Sequence, residues 1–308
     1  MVEFFFKIKR QKLQRIKEPR AGAWINIENV SQEDLELIEN LTDLNSTDLE
    51  DIFDLYELPR IERKGSALML FLRDAQPASV EGEEILTSPL VLIITEKYFF
   101  SISNKKNETI RRIIKENVNI TTTKRSKFLI YVLLQISKDF TKEIKKISHF
   151  ISQKKKLKKI ANADIVNLIQ QETILNSYIS ALSPMRIVFE AIATGNYIGL
   201  YEEDEDLIED MIISIRQSVE NCSGNIKTIR SLRDSYQVIF TNRLNKTIRL
   251  LTSLTVILAV PTMIASFLGM NVAFPFNAES SAIFLNIVSI SAAASIILLY
   301  IFIVKKWF

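Results

Sequence analysis

One cysteine, one histidine and seven glycines in 308 residues leave little material for several kinds of chemistry. A lone Cys222 cannot build an internal disulfide framework and fits a reducing compartment. A lone His149 is more often packed or solvated than a ligand, so it is assigned no role. No Cys/His zinc spacing, no nucleophile–base pair and no Gly-rich phosphate loop appears, and an enzyme is not expected. The net charge is only +3, which marks no nucleic-acid binder. No long apolar run follows Met1-Val2-Glu3-Phe4, so no signal peptide is expected.

What the chain does have lies at its far end. Leu250–Leu268 is one uncharged apolar run, and 282–304 is a second. Each is long enough to cross a hydrocarbon core of roughly 30 Å as an α-helix. Arg243, Lys246 and Arg249 precede the first, and Lys305 and Lys306 follow the second. The loop 269–281 between them has no Lys or Arg, and Glu279 is its only charge. The positive-inside bias therefore puts both termini in the cytosol and the loop outside, with the chain in the plasma (inner) membrane.

About 245 residues remain upstream, enough for one large or two modest cytosolic domains. Residues 1–122 read as α/β. Ala23–Ile27 suits a strand, and Ser31-Gln32-Glu33-Asp34 has the form of a capping box opening a helix. A second, acidic helix is expected around Ser46–Leu55. The runs Ala67–Leu72, Leu90–Thr95 and Tyr98–Ile102 suit strands, the last two as a hairpin. From Thr123 the pattern turns helical. Lys127–Lys159 and Asp164–Leu182 read as antiparallel helices within 123–200, with Pro184, Gly195 and Gly199 as breaks. From residue 201 a single helix runs to 268, its part from about 248 lying in the membrane. About sixty residues at 1.5 Å each reach roughly 90 Å, which no compact monomer buries, so several copies are expected to bundle.

Two charge runs carry more than one reading. Lys154-Lys155-Lys156 with Lys158 and Lys159 could face lipid or nucleic acid, and is read as a solvated helix tip. Glu202–Asp206 is either a collector of divalent cations or the acidic first turn of the long helix.

The first apolar span has a distinctive face. Steps of three or four residues from Asn245 reach Ile248, Thr252, Thr255, Ala259, Thr262, Ser266 and Gly269, one stripe of a helix, continued upstream through Thr241 and Val238 to Asp234. It is small and hydroxyl-rich, whereas Leu250, Ile257, Leu258, Ile264, Phe267 and Leu268 cover other faces. Tight helix packing and pore lining both use such residues. The amide of Asn271 at the stripe's outer end favours the pore, which one helix per chain can enclose only in an oligomer.

Gly269-Met270-Asn271 at the end of the first of two C-terminal spans resembles the signature of the CorA family of divalent-cation channels. Asn245-Lys246, Leu251-Thr252, Pro261-Thr262 and Ala265 extend the match, as does the tail Lys305-Lys306-Trp307. Upstream, Ala23-Trp24-Ile25, Asp48-Leu49-Glu50-Asp51 and Leu58-Pro59-Arg60-Ile61-Glu62 resemble the family's opening segments. The resemblance implies a homopentameric funnel: an α/β cytosolic domain, long stalk helices, two transmembrane helices and a basic tail at 305–308. It implies influx of hydrated Mg²⁺, with Co²⁺ or Ni²⁺ as further cargo, and Mg²⁺ as a cytosolic regulator.

Mg²⁺ sheds its waters reluctantly. A ring of Asn271 amide oxygens could hold the hydration shell without stripping it, with Gly269 allowing the turn and Met270 packing behind it. Glu279 would concentrate cations outside, and Lys305 and Lys306 would form an inner basic ring.

Departures from the family pattern are visible. Ala259 stands where relatives carry a bulky methionine, so a hydrophobic gate would rest on Ile248 and Leu251, and a proline pair reads Val260-Pro261. Asp210 and Asp234 fall on acidic stalk positions of the family's Mg²⁺ sensor. Its partner segment reads Glu62-Arg63-Lys64-Gly65, where an acidic residue is expected. A zinc-transporting branch of the superfamily is the nearer alternative, which Met270 disfavours. A non-conducting, membrane-tethered scaffold or sensor is the other.

Overall fold

The computed structural model describes residues 1–8, 11–76, 86–116, 120–155, 161–270, 272, 281–305 and 307. They form two compact units, Met1–Ser231 and Leu232–Phe308.

The first unit is built on a seven-stranded sheet: β1 (Val2–Phe6), β2 (Gln14–Ile16), β3 (Trp24–Glu28), β4 (Arg60–Lys64), β5 (Ala67–Ala75), β6 (Thr87–Ile94) and β7 (Phe99–Ser103). Their order is β2-β1-β3-β7-β6-β5-β4, antiparallel except where β3 runs parallel to β7. Residues 67 to 74 of β5 are all buried, as expected of a strand covered on both faces. Ala67, Met69 and Phe71 join one core cluster with Ile25, Val91 and Phe100, under α1 (Gln32–Leu41) and α2 (Ser46–Leu49). The alternate residues of the sheet face α4 (Arg125–Lys155) and α5 (Asn162–Ala193), where the Phe128 ring lies 4.9 Å from Phe99 and 5.0 Å from Trp24. Buried polar groups on this face satisfy one another: Trp24 Nε1 donates to Ser101 Oγ, which donates to Asn26 Oδ1, each at 2.8 Å.

The strands expected near 23–27, 67–72, 90–95 and 98–102 are present, the last two paired antiparallel. Ser31 caps α1, and Asp34 returns the bond to the Ser31 backbone at 2.9 Å. The acidic helix expected over Ser46–Leu55 is shorter: α2 ends at Leu49 and a 3₁₀ turn, Glu50–Phe53, follows. Four elements of this unit were not anticipated: β1, β2, β4 and α3. β4, Arg-Ile-Glu-Arg-Lys, is an edge strand whose charge discourages further pairing. α3 (Glu108–Glu116) has only nine residues.

Pro184 does not break the chain, contrary to expectation, but lies inside α5. A proline inside a helix costs about 3 kcal/mol. Tyr178, Leu182, Met185, Phe189 and Ile192 around it are all fully buried, and each such side chain contributes about 1.5–3 kcal/mol. Packing wins, and the helix instead ends near Gly195, whose φ of 77° is left-handed. α6 (Glu205–Leu268) is a single helix of 64 residues that contains both Gly224 and Pro261. Before it, Glu202–Asp204 forms a 3₁₀ turn in which Glu203 pairs with Lys124 and the fully buried Asp204 with Lys127. Part of the acidic run thus ties the start of α6 to α4. Lys154 pairs with Asp164 at 2.5 Å; residues 156–160 of the lysine run lie outside the described residues.

A buried carboxyl joins β5, α3 and α4. The Thr109 hydroxyl lies 2.8 Å from Asp74 Oδ2 and also contacts Asp139 Oδ2. A hydroxyl has one hydrogen to donate, so one of the two carboxyls must supply a proton of its own. Asp139 is already held by both terminal nitrogens of Arg112 at 2.6 Å. The protonated one is Asp74. Burial pushes it up to about 7 from 3.8; the Thr109 bond opposes that shift, and the charge of Asp139 adds to it. Between about pH 4 and 7 the folded chain holds a proton that the unfolded chain has released. Raising the pH through that window therefore lowers stability, by at most about 4 kcal/mol, and above it the loss is complete. Asp74→Asn keeps a donor toward Thr109 and cannot ionise. Thermal unfolding of the full chain in detergent should show the variant gaining on wild type from pH 5 to 8; a difference independent of pH would mean that Asp74 is already ionised.

Candidate conduction segment

Within the second unit the C-terminal part of α6 packs on α7 (Ser281–Val304). Ser253 is fully buried, and Ile257, Val260, Pro261, Ile264 and Leu268 are partly covered. Opposite them on α7, the partly covered residues are Ile283, Ile287, Ser291, Ala294, Ser295 and Leu298. Ser295 Oγ reaches the Ile257 carbonyl at 3.5 Å and its own helix at Ser291 O at 3.1 Å. Toward the outer end the two helices diverge around a cavity of 670 Å³, lined by Pro261, Ile264 and Leu268 on one side and Ile283, Ile287 and Ser291 on the other.

With 3.6 residues per turn, the α7-facing residues and the hydroxyl-rich stripe fall on roughly opposite sides of α6. Asn245, Ile248, Thr252, Thr255, Ala259, Thr262 and Ser266 are all exposed. The stripe therefore does not pack against the described residues of the chain. Thr255 and Thr262 donate back to the carbonyls of Leu251 and Leu258, both at 2.9 Å, which leaves their oxygens outward as acceptors. Leu251 is exposed at the margin of the stripe, about 70° from its centre.

At the helix end, the Gly269 N–H still bonds Ala265 O at 3.0 Å, and Met270 N reaches Phe267 O at 3.3 Å. The expectation that Gly269 supplies a turn closed to other residues does not hold: its φ is not left-handed, and a Cβ there would meet its nearest atom at an ordinary 3.5 Å. Met270 is exposed in the single chain. Asn271, Glu279 and Lys306 lie outside the described residues. Lys305 is exposed after the last turn of α7, and Trp307 stacks on Phe302 at 5.3 Å.

Of the two stalk carboxylates, Asp234 is exposed and belongs to the second unit, whereas Asp210 belongs to the first. Asp210 borders an 810 Å³ cavity whose wall also carries Lys138, Lys142, Lys145 and Lys146. Four ammonium groups oppose a divalent cation, which weighs against the sensor role that the family resemblance implied for Asp210. In the partner segment, Glu62 already accepts from Arg60 Nε at 2.7 Å, while Arg60 also binds Asp51 and Glu57. Among the described residues no three His, Cys, Asp or Glu side chains gather as a metal site within one chain. Cys222 is fully buried and donates to Leu175 O at 3.0 Å, and burial pushes its thiol up to about 12. His149 is exposed, 2.9 Å from the Gln153 amide. Sequence reasoning missed the lysine row on α4, although its spacing of four, three and one is a helical-face signal.

A family profile described as "CorA-like Mg2+ transporter protein" matches residues 20–306. "Cobalt/magnesium transport protein CorA" of Methanocaldococcus jannaschii is 20% identical over 297 residues, which is 92% of this chain and 90% of that protein. The complete structure of the CorA magnesium transporter from the same organism superposes with a TM-score of 0.84 at 19% identity, covering 100% of this chain and 99% of the other. The cytoplasmic domain of ZntB from Vibrio parahaemolyticus gives 0.64 at 10% identity, over 78% of this chain and 98% of that domain. At these identities the structural likeness speaks for the fold alone, while the profile spans nearly the whole sequence. The chain belongs to the CorA family.

Proposed function

We propose that the protein is a membrane channel for hydrated divalent cations, Mg²⁺ foremost, assembled from five copies with α6 lining the pore. The observation that carries this reading is the exposed hydroxyl stripe on the side of α6 turned away from α7. Such a face needs either a neighbouring copy or water, and five of them around an axis supply both. Threonine and serine oxygens offer acceptors to the waters of a hydrated ion without the charge that would trap it. Asn271 would close the outer end as a ring of neutral amides, flanked by Gly269 and Met270, and Glu279 would raise the local cation concentration. Ile248 and Leu251 would narrow the inner part, and Lys305 and Lys306 would ring the cytosolic mouth. With both termini in the cytosol of the plasma (inner) membrane, potential drives influx: a divalent ion crossing 100 mV gains about 4.6 kcal/mol. Zinc is the second cargo to test, since a ZntB domain shares the cytosolic fold. The motif's Met270 weighs against it.

Substituted cysteines separate a wetted stripe from a packed one. Cys222 is buried and its thiol is held neutral, so the wild-type protein gives little background. Thr255→Cys and Thr262→Cys should react with a water-soluble thiosulfonate and slow Mg²⁺ flux, whereas Ile257→Cys should stay unlabelled. Protection of all three would assign the stripe to helix packing.

In liposomes loaded with a Mg²⁺ indicator, Asn271→Ala should abolish uptake, while native mass measurement in detergent still reports a pentamer. Uptake at the wild-type rate would move selection away from the motif, and a stable monomer or dimer would remove the pore altogether.

Asp234, rather than Asp210, is the residue proposed to sense cytosolic Mg²⁺, as a ring whose mutual repulsion bound Mg²⁺ relieves. Asp234→Asn should weaken inhibition of inward current by internal Mg²⁺; an unchanged inhibition curve would return Asp234 to the solvated surface.

A further inference from the structure

The first unit neutralises most of the charges already described. Lys64, Lys124, Lys127 and Lys154 each meet a carboxylate, as do Arg60, Arg216 and Arg230. One cleft departs from this pattern. A cavity of 650 Å³ opens at the end of β5 between α3 and α4, and Lys106, Arg111, Arg112, Lys115, Lys142 and Lys146 line it. Among the described residues three carboxylates share the wall, leaving an excess of three positive charges there. The ion pairs fix some of the cations: Arg112 to Asp139 at 2.6 Å, Lys146 to Glu143 at 2.7 Å, and Arg111 to Glu28 behind the wall at 2.7 Å. Lys106, Lys115 and Lys142 are exposed and make no ion pair among the described residues. The Lys142 and Lys146 side chains also border the 810 Å³ cavity on the other flank of α4, where Lys138 and Lys145 add further charge. Lys138, Lys142 and Lys146 repeat every four residues, a spacing at which like charges repel along a helix. An anion lying against that row would relieve the repulsion.

From this arrangement we infer that the α3–α4 cleft is a binding site for an oligophosphate anion. Lysine ammonium groups bind phosphate as adjustable point charges, and three of them converging on one cavity suit a ligand with several phosphates better than a single carboxylate. Among the described residues no aromatic side chain lines the cleft, so the phosphate chain and not a stacked base would be recognised. The Arg112–Asp139 pair forms a rigid part of the wall, and the free lysines can move onto the ligand. Oligophosphates chelate Mg²⁺, so a metal-free oligophosphate at this site would report a shortage of the ion. That last consequence rests on the transport reading; the binding does not.

The test is calorimetry on the full-length protein in detergent, freed of Mg²⁺ with EDTA and then exchanged into low salt. Sodium tripolyphosphate is titrated in one arm and ATP in the other. Saturable binding near one per chain is expected in both, with affinities within about threefold of each other. Lys106→Gln/Lys115→Gln/Lys142→Gln should weaken it at least tenfold. A control of equal charge, Lys12→Gln/Lys17→Gln/Lys97→Gln, should leave it unchanged. Absence of saturable binding overturns the proposal, as does equal weakening in both triple variants. Binding of ATP without tripolyphosphate would overturn the phosphate-chain reading. If size-exclusion chromatography shows that the cleft variant falls to a smaller assembly, the lysines hold a neighbouring copy and the site is not one for a free anion.

Discussion

Ser253 is the fully buried residue of the apolar part of α6, and Ile257 and Ile264 on the same face are partly covered. The Ile257 carbonyl on that face meets Ser295 Oγ of α7 at 3.5 Å. With Ser253, Ile257 and Ile264 turned toward α7, the row Thr252, Thr255, Ala259, Thr262 and Ser266 has to face away. Backbone polarity imposes the rest. In a hydrocarbon layer every N–H and C=O must be satisfied within the element, so the span has to be helical, and only side chains remain to speak to an ion. Under the proposed channel reading, the hydroxyl row is what α6 would offer to ions, and it lies on the face opposite Ser253.

The stripe was legible in the sequence because helical spacing alone assembles it. Its partner face was not, since Ser253 looks like one more hydroxyl among several until the position of α7 is known. The first unit divides in a similar way. Apolar runs such as Ala67–Leu72 and Leu90–Thr95 announce strands, and the capping box at Ser31 announces a helix, because each signal is local. The strands β1 and β2 escaped, as did the edge strand β4, which is too charged to show an apolar alternation, and α3, although Ile110, Ile113 and Ile114 fall on one helical face. Pro184 misled because a local rule worth about 3 kcal/mol was set against a row of buried side chains that only tertiary structure reveals.

Charges were the least legible part. The run Glu202–Asp206 supported two readings in the sequence, and neither named Lys124 or Lys127, which lie more than seventy residues upstream and take up Glu203 and Asp204. Asp74 gave no sign of being special. Its protonation follows from one hydroxyl hydrogen shared between two carboxyls, a constraint of stoichiometry that appears only when Thr109 and Asp139 are brought to it.

The same point decides between the two stalk carboxylates. Counting back along the long helix put Asp210 and Asp234 both on acidic positions, with Asp234 the better candidate for a ring. A carboxylate attracts Mg²⁺ only if its surroundings do not cancel it, and the Asp210 cavity holds four lysines against one acid. A divalent ion there would face several exposed ammonium groups with one exposed carboxylate to offset them. A cation has no reason to settle there, and an anion does. The stalk face near Asp210 is thus electrostatically suited to phosphate chemistry. Asp234, proposed above as the sensing residue, stands further along α6 and is not among the residues lining that lysine-bearing cavity.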